Sequence, residues 1–278
     1  MAGPILSMQF ARITTFAMTD RQYGIETLCL HAGAQPDAAT GARALPIHQT
    51  TSFVFDSADH AASLFNLQTF GNVYSRIGNP TVAAFEERMA ALEGGRAAVA
   101  AATGLAAQMV ALLTLCQAGD RIVAARTLYG GTFSQLDYSL RRLGIETAFV
   151  DADDPAAFRA ALTDNTRCLF AETVANPRLN VLDISAVANV AHDHGVPLIV
   201  DNTVPSPCLC RPFEHGADIV VHSATKFLGG HGTTLGGVVV ESGRFDWGNG
   251  KFPGMTEPSA GYHGVKFFET FGDFGFTM

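Results

Sequence analysis

The sequence contains few of the features that mark nucleic-acid or membrane sites. Only 16% of its 278 residues are charged, no basic run occurs, and the net charge is -8. General nucleic-acid binding is therefore not predicted, although exposed backbone N–H groups can still bind small anions. No apolar run reaches the roughly 18–20 residues that a membrane-spanning helix needs. We predict no nucleic-acid and no membrane partner.

Metal-binding patterns are also absent. The five cysteines form no C-x-x-C pair, so reduced thiols of a cytosolic protein are the simplest interpretation. His192 and His194 lie two residues apart near the end of a predicted helix, so their side chains point to different sides. We predict no metal site and a cytoplasmic location.

Common phosphate-binding and hydrolase motifs are missing as well. The sequence has no G-x-x-x-x-G-K-[ST] and no G-x-S-x-G. The glycine-rich run at residues 230–236 misses the dinucleotide fingerprint by one residue and follows a lysine rather than a first strand. Neither a P-loop nor a nucleophile elbow is predicted.

What the chain does have, from residue 97 onwards, is an alternation of apolar segments and helical patterns. The apolar segments predict strands at 97–102, 121–125, 146–150, 167–172, 197–201, 218–221 and 237–241. Helices are predicted between them at 105–116, from 132 to about 143, at 155–162 and at 183–194. Many strands are apolar on both faces, which predicts an α/β fold with a mostly parallel sheet flanked by helices.

The region before that alternation is irregular. Glycine and proline recur from residue 19 to 59, which predicts an extended arm, and residues 58–70 could form a helix. Asn79-Pro80 predicts a turn, and Thr81 is placed to cap a helix that ends at Gly94-Gly95.

A lysine is the most unusual residue at the predicted strand ends. Lys226 lies between an apolar strand and a glycine-rich turn, and Ser223 and Thr225 supply hydroxyl groups beside it. A lysine in this position does chemistry, binds phosphate, or is simply solvated on a loop.

Other polar groups fall at neighbouring strand ends, and each has an ordinary alternative. Gly104 follows Thr103 at a helix start, where bare N–H groups bind phosphate or merely form a packing turn. Asp201 follows three apolar residues and either faces a cation or caps a turn. Tyr129 either covers a ligand or packs at a helix start. Asn176 either faces a ligand or forms a turn.

One cofactor requires all of these groups together. Pyridoxal phosphate needs a lysine for its aldehyde, a carboxylate for its ring nitrogen, and N–H and O–H donors for its phosphate. Ligands of parallel sheets bind beyond the carboxyl ends of the strands, where these groups are predicted to lie.

Three segments carry a resemblance to a known family. The sequences ETVANP at residues 172–177, VDNT at 200–203 and SATK at 223–226 resemble the Cys/Met-metabolism group of pyridoxal-phosphate enzymes, which have fold type I. The resemblance runs from about Tyr23 to the end of the chain. Residues 245–247 through 262–264 look like the extra segment typical of O-acetylhomoserine sulfhydrylases, the members that this chain resembles most.

The resemblance implies a role for each candidate residue. Lys226 would bond to the cofactor and move protons at the substrate's Cα and Cβ, Asp201 would pair with the ring nitrogen, and Tyr129 would stack on the ring and act as a base. Asn176 would lie near the substrate's amino-acid end. The predicted phosphate ligands are Gly104, Leu105, Ser223, Thr225 and, reaching into a neighbouring subunit's site, Tyr74 and Arg76. The site would then need a homodimer or homotetramer.

The chain divides into three parts. Residues 1–18 contain one arginine and no acid, which predicts a disordered extension or an upstream start. The resemblance implies that residues 19–72 are an arm for subunit contacts and residues 73–278 the cofactor-binding large domain. Family members have a smaller C-terminal domain with an arginine that grips the substrate carboxylate, and we expect that domain to be missing here. The chain would then bind cofactor but be a poor or inactive catalyst.

The implied reaction is γ-replacement. O-acetyl-L-homoserine and sulfide would give L-homocysteine and acetate, a step of methionine and cysteine biosynthesis. Two alternatives stay open: a cystathionine γ-synthase or γ-lyase on the same scaffold, and an inactive cofactor-binding fragment.

Overall fold

The computed structural model describes residues 23–66, 68–262 and 264–274. The chain forms two compact units, which divide between Ala84 and Phe85. The extension predicted for residues 1–18 lies outside the described residues.

The first unit contains more helix than the sequence pattern predicts. Helix α1, Ile25–His31, lies inside the segment predicted to be irregular, and α2 spans Ala58–Phe65, shorter than the predicted 58–70. Ser57 caps α2 by accepting a hydrogen bond from the His60 N–H. The short α1 has no fully buried residue and no side-chain cap, so its pattern is too weak to stand out from the surrounding glycines and prolines.

Helix α3, Pro80–Glu93, begins one residue before Thr81, so the predicted cap is wrong. Asn79, not Thr81, supplies the capping oxygen, because its Oδ1 accepts from the Thr81 N–H at 2.9 Å. The Thr81 hydroxyl instead donates to the Pro46 carbonyl and accepts from the His48 N–H. Asparagine before proline is pre-set for extended backbone, which suits an N-cap.

The second unit is built on one seven-stranded sheet, with the order β1-β7-β6-β5-β4-β2-β3. Strands β2 to β6 run parallel, as predicted, and β7 pairs antiparallel with both β1 and β6. The central strands are buried on both faces, which explains their continuous valine, isoleucine and leucine runs. Their bounds are β1 Ala97–Ala101, β2 Arg121–Ala125, β3 Glu146–Val150, β4 Thr166–Glu172, β5 Leu198–Asp201, β6 Ile219–His222 and β7 Gly237–Glu241.

Helices flank this sheet. They are α4 Gly104–Leu115, α5 Gly130–Ser134, α6 Pro155–Ala161, α7 Ile184–Asp193, α8 Ser206–Leu209, α9 Pro253–Thr256 and α10 Phe267–Phe271. Along α7, Ile184, Val187, Val190 and Ala191 recur at helical spacing, and all four are buried. None of the helices within the described ranges has both the length and the apolar character that crossing a membrane requires.

The single helix predicted after Tyr129 is broken into three parts. Helix α5 continues into a π-helical turn at Gln135–Ser139 and a 3-10 turn at Arg141–Leu143. The wider π turn shifts the helical register, so Leu136 and Leu140 are fully buried while Leu143 is exposed. The fold-class prediction is confirmed, but the prediction of one regular helix after Tyr129 is wrong.

Candidate active site

Three of the candidate segments follow the parallel strands β4, β5 and β6. Glu172 and Asp201 are paired across β4 and β5, and Asp201 is paired with Val221 of β6. Because parallel strands end at the same edge of a sheet, the segments that follow Glu172, Asp201 and His222 converge there. These are the three segments that carry the resemblance.

The carboxylate of Asp201 is held in one orientation by two donors. Its Oδ2 accepts from the Gln108 side-chain amide at 3.1 Å, and its Oδ1 accepts from the Thr203 N–H at 2.9 Å. The same Gln108 nitrogen donates to the Thr132 hydroxyl in α5 at 3.1 Å. Gln108 of α4 thus orients the Asp201 carboxylate and contacts α5. The carboxylate is half-buried and can still accept a hydrogen bond from a ring N–H.

The predicted phosphate ligands Gly104 and Ser223 are in contact. A Cβ added at Gly104 would lie 2.7 Å from the Ser223 Cβ and 2.8 Å from its Cα. Thr103 caps α4 through its hydroxyl, which accepts from the Ala106 N–H, and the next amide, Ala107, donates to the Thr103 carbonyl. Among the described residues, neither the Gly104 nor the Leu105 N–H has a hydrogen-bond partner, so both are available to an anion.

Ser223 and Thr225 differ in what their hydroxyls can offer. The Ser223 backbone N–H donates to the Thr203 hydroxyl at 2.8 Å, and within the described part of the chain the Ser223 hydroxyl is unpaired. The Thr225 hydroxyl lies 3.3 Å from the Gly236 carbonyl and 3.2 Å from the Gly236 N–H. Ser223 can therefore donate to a phosphate as it stands, whereas Thr225 must first release Gly236.

The donor set fits the phosphate, ring nitrogen and aldehyde of pyridoxal phosphate. Bare N–H groups and a free hydroxyl adjoin one another, with glycine where any side chain would collide, and an oriented carboxylate is linked to them through Thr203. Lys226 lies in the turn after Ser223, whose carbonyl accepts the Lys226 N–H at 3.1 Å. The Lys226 side chain is exposed, and no ion pair to its ammonium occurs among the described residues.

Tyr129 and Asn176 are held by an acid that the sequence analysis did not select. Glu172 Oε1 accepts from the Tyr129 N–H at 2.6 Å, and Oε2 accepts from the Asn176 N–H at 2.9 Å. Burial raises the pKa of Glu172 to about 7, the nearby Asp201 charge adds to this, and the two N–H donors oppose it. The Tyr129 and Asn176 side chains are themselves exposed.

Three residues of this network were missed from the sequence, and two carried a readable signal. Glu172 ends a buried strand just as Asp201 does, so the same reasoning applies to it. Gln108 is a buried polar residue within the otherwise apolar stretch 104–113 of α4. The bridging role of Thr203, whose N–H meets Asp201 and whose hydroxyl meets Ser223, depends on tertiary contacts that no local pattern reveals.

A second buried polar cluster lies next to these segments. Glu93 Oε1 accepts from the Asn202 side chain at 3.0 Å and lies 2.6 Å from His222 Nε2, and none of the three residues is exposed. Asn202 Oδ1 accepts from the Thr173 hydroxyl at 2.9 Å. His192 and His194, set aside as metal ligands, contact Asp218 and the Thr163 carbonyl, respectively.

Tyr74 and Arg76 belong to the first unit. The Arg76 guanidinium lies over the Tyr74 ring, 5.5 Å from its centroid, and Tyr74 is exposed. Their predicted contact with a neighbouring subunit's phosphate stays a prediction.

A family model for the Cys/Met metabolism PLP-dependent enzymes matches residues 26–261. The chain belongs to this family. Pyridoxal phosphate is therefore the cofactor of this family.

Relatives within the family carry specific names. The O-acetyl-L-homoserine sulfhydrylase of Leptospira meyeri is 56% identical over 91% of this chain and 58% of its own length. The homocysteine synthase of Schizosaccharomyces pombe is 53% identical over 91% of this chain and 60% of its own length. The chain thus spans about three fifths of the curated relatives that it matches.

Solved structures give the same fold. A putative O-acetylhomoserine (thiol)-lyase from Campylobacter jejuni, 36% identical, has a TM-score of 0.86 over 88% of this chain and 61% of its own, and its structure contains an N'-pyridoxyl-lysine-5'-monophosphate. A cystathionine γ-lyase from Lactobacillus plantarum, 40% identical, has a TM-score of 0.73 over 79% of this chain and 55% of its own. Fold type I and membership of this enzyme family are confirmed for the chain.

Proposed function

We propose that the chain is the cofactor-binding part of an O-acetylhomoserine sulfhydrylase, which converts O-acetyl-L-homoserine and sulfide to L-homocysteine and acetate. The observation that supports this most is the contact of Gly104 with Ser223 beside the oriented Asp201, on a chain 56% identical to a protein of that name. A bare helix start and a fixed acid at one sheet edge are what the two ends of the cofactor need.

The residues would divide the binding as follows. The Gly104 and Leu105 N–H groups and the Ser223 hydroxyl would donate to the phosphate, with Thr225 joining after it releases Gly236. Asp201 would accept from the ring nitrogen, and the Tyr129 ring would lie over the cofactor ring. Pyridoxal phosphate, when bound, supplies an electron sink for negative charge that develops on the substrate.

Lys226 would carry the proton transfers. Its exposed amine would bond to the cofactor at rest, then accept the proton from the substrate's Cα and move a proton at Cβ, so that acetate can leave from Cγ and sulfide can add there. Asn176 would orient the amino-acid end of the substrate. A flexible lysine on a turn suits transfers between adjacent carbons, because its amine can reach both.

The assembly and location are part of the same proposal. Tyr74 and Arg76 would complete a neighbouring subunit's phosphate site, which requires a homodimer or homotetramer. All five cysteines are free of disulfides, which supports a reducing compartment, and we propose the cytoplasm.

Borohydride trapping tests the cofactor site directly, because the chain has only three lysines: Lys226, Lys251 and Lys266. The purified chain is mixed with pyridoxal phosphate, reduced with borohydride, digested and mapped by mass spectrometry. We expect the pyridoxyl group on Lys226 in the wild-type chain and no labelled peptide in Lys226→Ala. Lys266→Ala is the control and should be labelled like wild type, because the exposed ammonium of Lys266 pairs with Glu269. A wild-type chain without label on Lys226 would refute the cofactor site.

A product screen tests the reaction. O-acetyl-L-homoserine is supplied with sulfide, with cysteine, or with no nucleophile, at pH 7.5. Homocysteine only with sulfide supports the sulfhydrylase, cystathionine with cysteine supports the synthase, and 2-oxobutyrate without any nucleophile supports the γ-lyase.

A further inference from the structure

One buried carboxylate joins two loops that are far apart in the sequence. Glu172, only 7% exposed, ends β4 and accepts one hydrogen bond on each oxygen, from the N–H groups of Tyr129 and Asn176. Tyr129 lies 43 residues before Glu172, and Asn176 four residues after it. A single side chain therefore sets the distance between the two loops.

Little else among the described residues fixes these two amides. Tyr129 precedes α5 without a side-chain cap, and its side chain is 50% exposed. On the Asn176 side, the Val174–Val181 bridge and the Ala175 N–H to Asn180 carbonyl bond close the loop behind residue 176. The Glu172 oxygens are thus the tertiary contacts that aim the front of both loops.

We propose that Glu172 is a positioning residue, which holds the Tyr129 loop and the Asn176 loop at a fixed separation over the cofactor ring. The inference rests on the proposed function, since it assigns Tyr129 to the ring and Asn176 to the substrate. It adds a residue that acts through backbone amides and need not touch the cofactor.

We call the contact of Glu172 with the Tyr129 and Asn176 N–H groups the clamp. It requires two acceptors on one rigid group. A carboxylate accepts on both oxygens, whereas a glutamine accepts on one and turns an NH2 donor towards the second amide N–H. Glu172→Gln therefore keeps the size and shape of the side chain but loses one of the two hydrogen bonds. Glu172→Asp keeps both acceptors but is one methylene shorter, so it should restore part of the function.

The test compares Glu172→Gln and Glu172→Asp with wild type and with Glu146→Gln. Glu146 is an exposed glutamate at the start of β3, the opposite end of a strand, and so a matched control. Hydrogen exchange of the Tyr129 and Asn176 amides is measured first, followed by pyridoxal phosphate affinity and the absorbance and circular dichroism of the bound cofactor.

We expect the two amides to be protected in wild type and at least one to lose protection in Glu172→Gln. Cofactor affinity should fall about tenfold or more, the size expected when a charged hydrogen bond is lost. The cofactor's circular dichroism should change, because the Tyr129 loop moves, and Glu172→Asp should be intermediate. A general loss of packing would instead deprotect amides throughout the sheet.

Two results separate the possible failures. Unprotected Tyr129 and Asn176 amides in wild type, or a Glu172→Gln protein with wild-type exchange, affinity and dichroism, would overturn the clamp. If wild type binds no cofactor while both amides are protected, the proposed function is overturned but the contact of Glu172 with the two loops stands. Hydrogen exchange of the wild type measures that contact even if Glu172→Gln fails to fold.

Discussion

Glycine at position 104 lets a helix start lie against the backbone of another loop. Alanine there would place its methyl group 2.7 Å from the Ser223 Cβ, and a second close approach occurs at Gly237, where a Cβ would lie 2.1 Å from the Thr103 carbonyl oxygen. Both contacts involve backbone or Cβ atoms, which cannot rotate away. Replacing Gly104 therefore requires the loops around residues 103 and 223 to separate, and replacing Gly237 requires the start of β7 to move away from Thr103.

We predict that Gly104→Ala lowers the free energy of unfolding by about 1–3 kcal/mol, the usual cost of overpacking, and weakens cofactor binding. Gly130→Ala is the matched control, because Gly130 also opens a helix but an added Cβ would have no neighbour within 4 Å. Urea unfolding and cofactor titration check both variants. Equal stability of the two alanine variants would contradict the contact.

At this scale, the sequence identified the groups with unusual chemistry and missed the groups that orient them. Lys226, Asp201 and Tyr129 stand out because a reactive residue type follows an apolar strand. Glu172 and Gln108 can be selected from the sequence as polar residues beside apolar segments. Their partners, 43 and 93 residues away, cannot be predicted, because these contacts form only in the folded sheet.

Secondary-structure elements meet at the buried cluster around Glu93. Its carboxylate at the end of α3 joins Asn202, after β5, and His222, the last residue of β6. Asn202 also donates to the Cys210 carbonyl at 2.8 Å and accepts from Thr173, after β4. The Asn202 side chain thus satisfies polar groups from three other segments of the chain.

We predict that Asn202→Ala lowers the free energy of unfolding by at least about 2 kcal/mol, because it leaves buried groups unpaired at about 1–3 kcal/mol each. Asn165→Ala is the control. It removes a hydrogen bond to the Gly119 carbonyl and one from the Thr163 hydroxyl, both at an exposed residue where water can replace them, and should change stability by less than about 1 kcal/mol. Denaturant unfolding measures both. A neutral Asn202→Ala would mean that water fills the site.

Elements were predicted well where burial dominates and poorly where it does not. All seven strands were found to within two residues, because strands buried on both faces leave continuous apolar runs. The direction of β7 could not be predicted, since an antiparallel buried strand has the same composition as a parallel one. The π turn after α5 changes the helical period, and α1 is too short and exposed to give a period at all.

The whole molecule carries several carboxyl groups that are costly to ionise in the folded state. Burial raises the pKa values of Glu86, Glu87, Glu172 and Glu241, and that of Glu172 reaches about 7. The hydrogen bond to Asp218 raises the pKa of His192. These groups hold protons in the folded chain at pH values where the unfolded chain has released them.

The sign of the resulting pH dependence follows from linkage. The Glu172 contribution is fully present below the ordinary carboxyl pKa of 4.5 and is lost as the pH rises through about 7, because the unfolded chain then ionises more readily. The raised pKa of His192 acts in the same direction above its ordinary value of 6.5. We predict that the free energy of unfolding falls between pH 5 and pH 7.5.

Glutamine at position 172 cannot ionise, so the free energy of unfolding of Glu172→Gln should fall less steeply between pH 5 and pH 7.5 than that of wild type. This holds even if the variant is less stable at every pH. Glu146→Gln should keep the wild-type slope, because Glu146 is exposed at the far end of its strand. Urea unfolding at half-unit steps from pH 5 to pH 8 measures the slopes without cofactor. If the slope of Glu172→Gln equals that of wild type, Glu172 ionises equally easily in both states, and the desolvation that raises its pKa is offset by the two N–H donors.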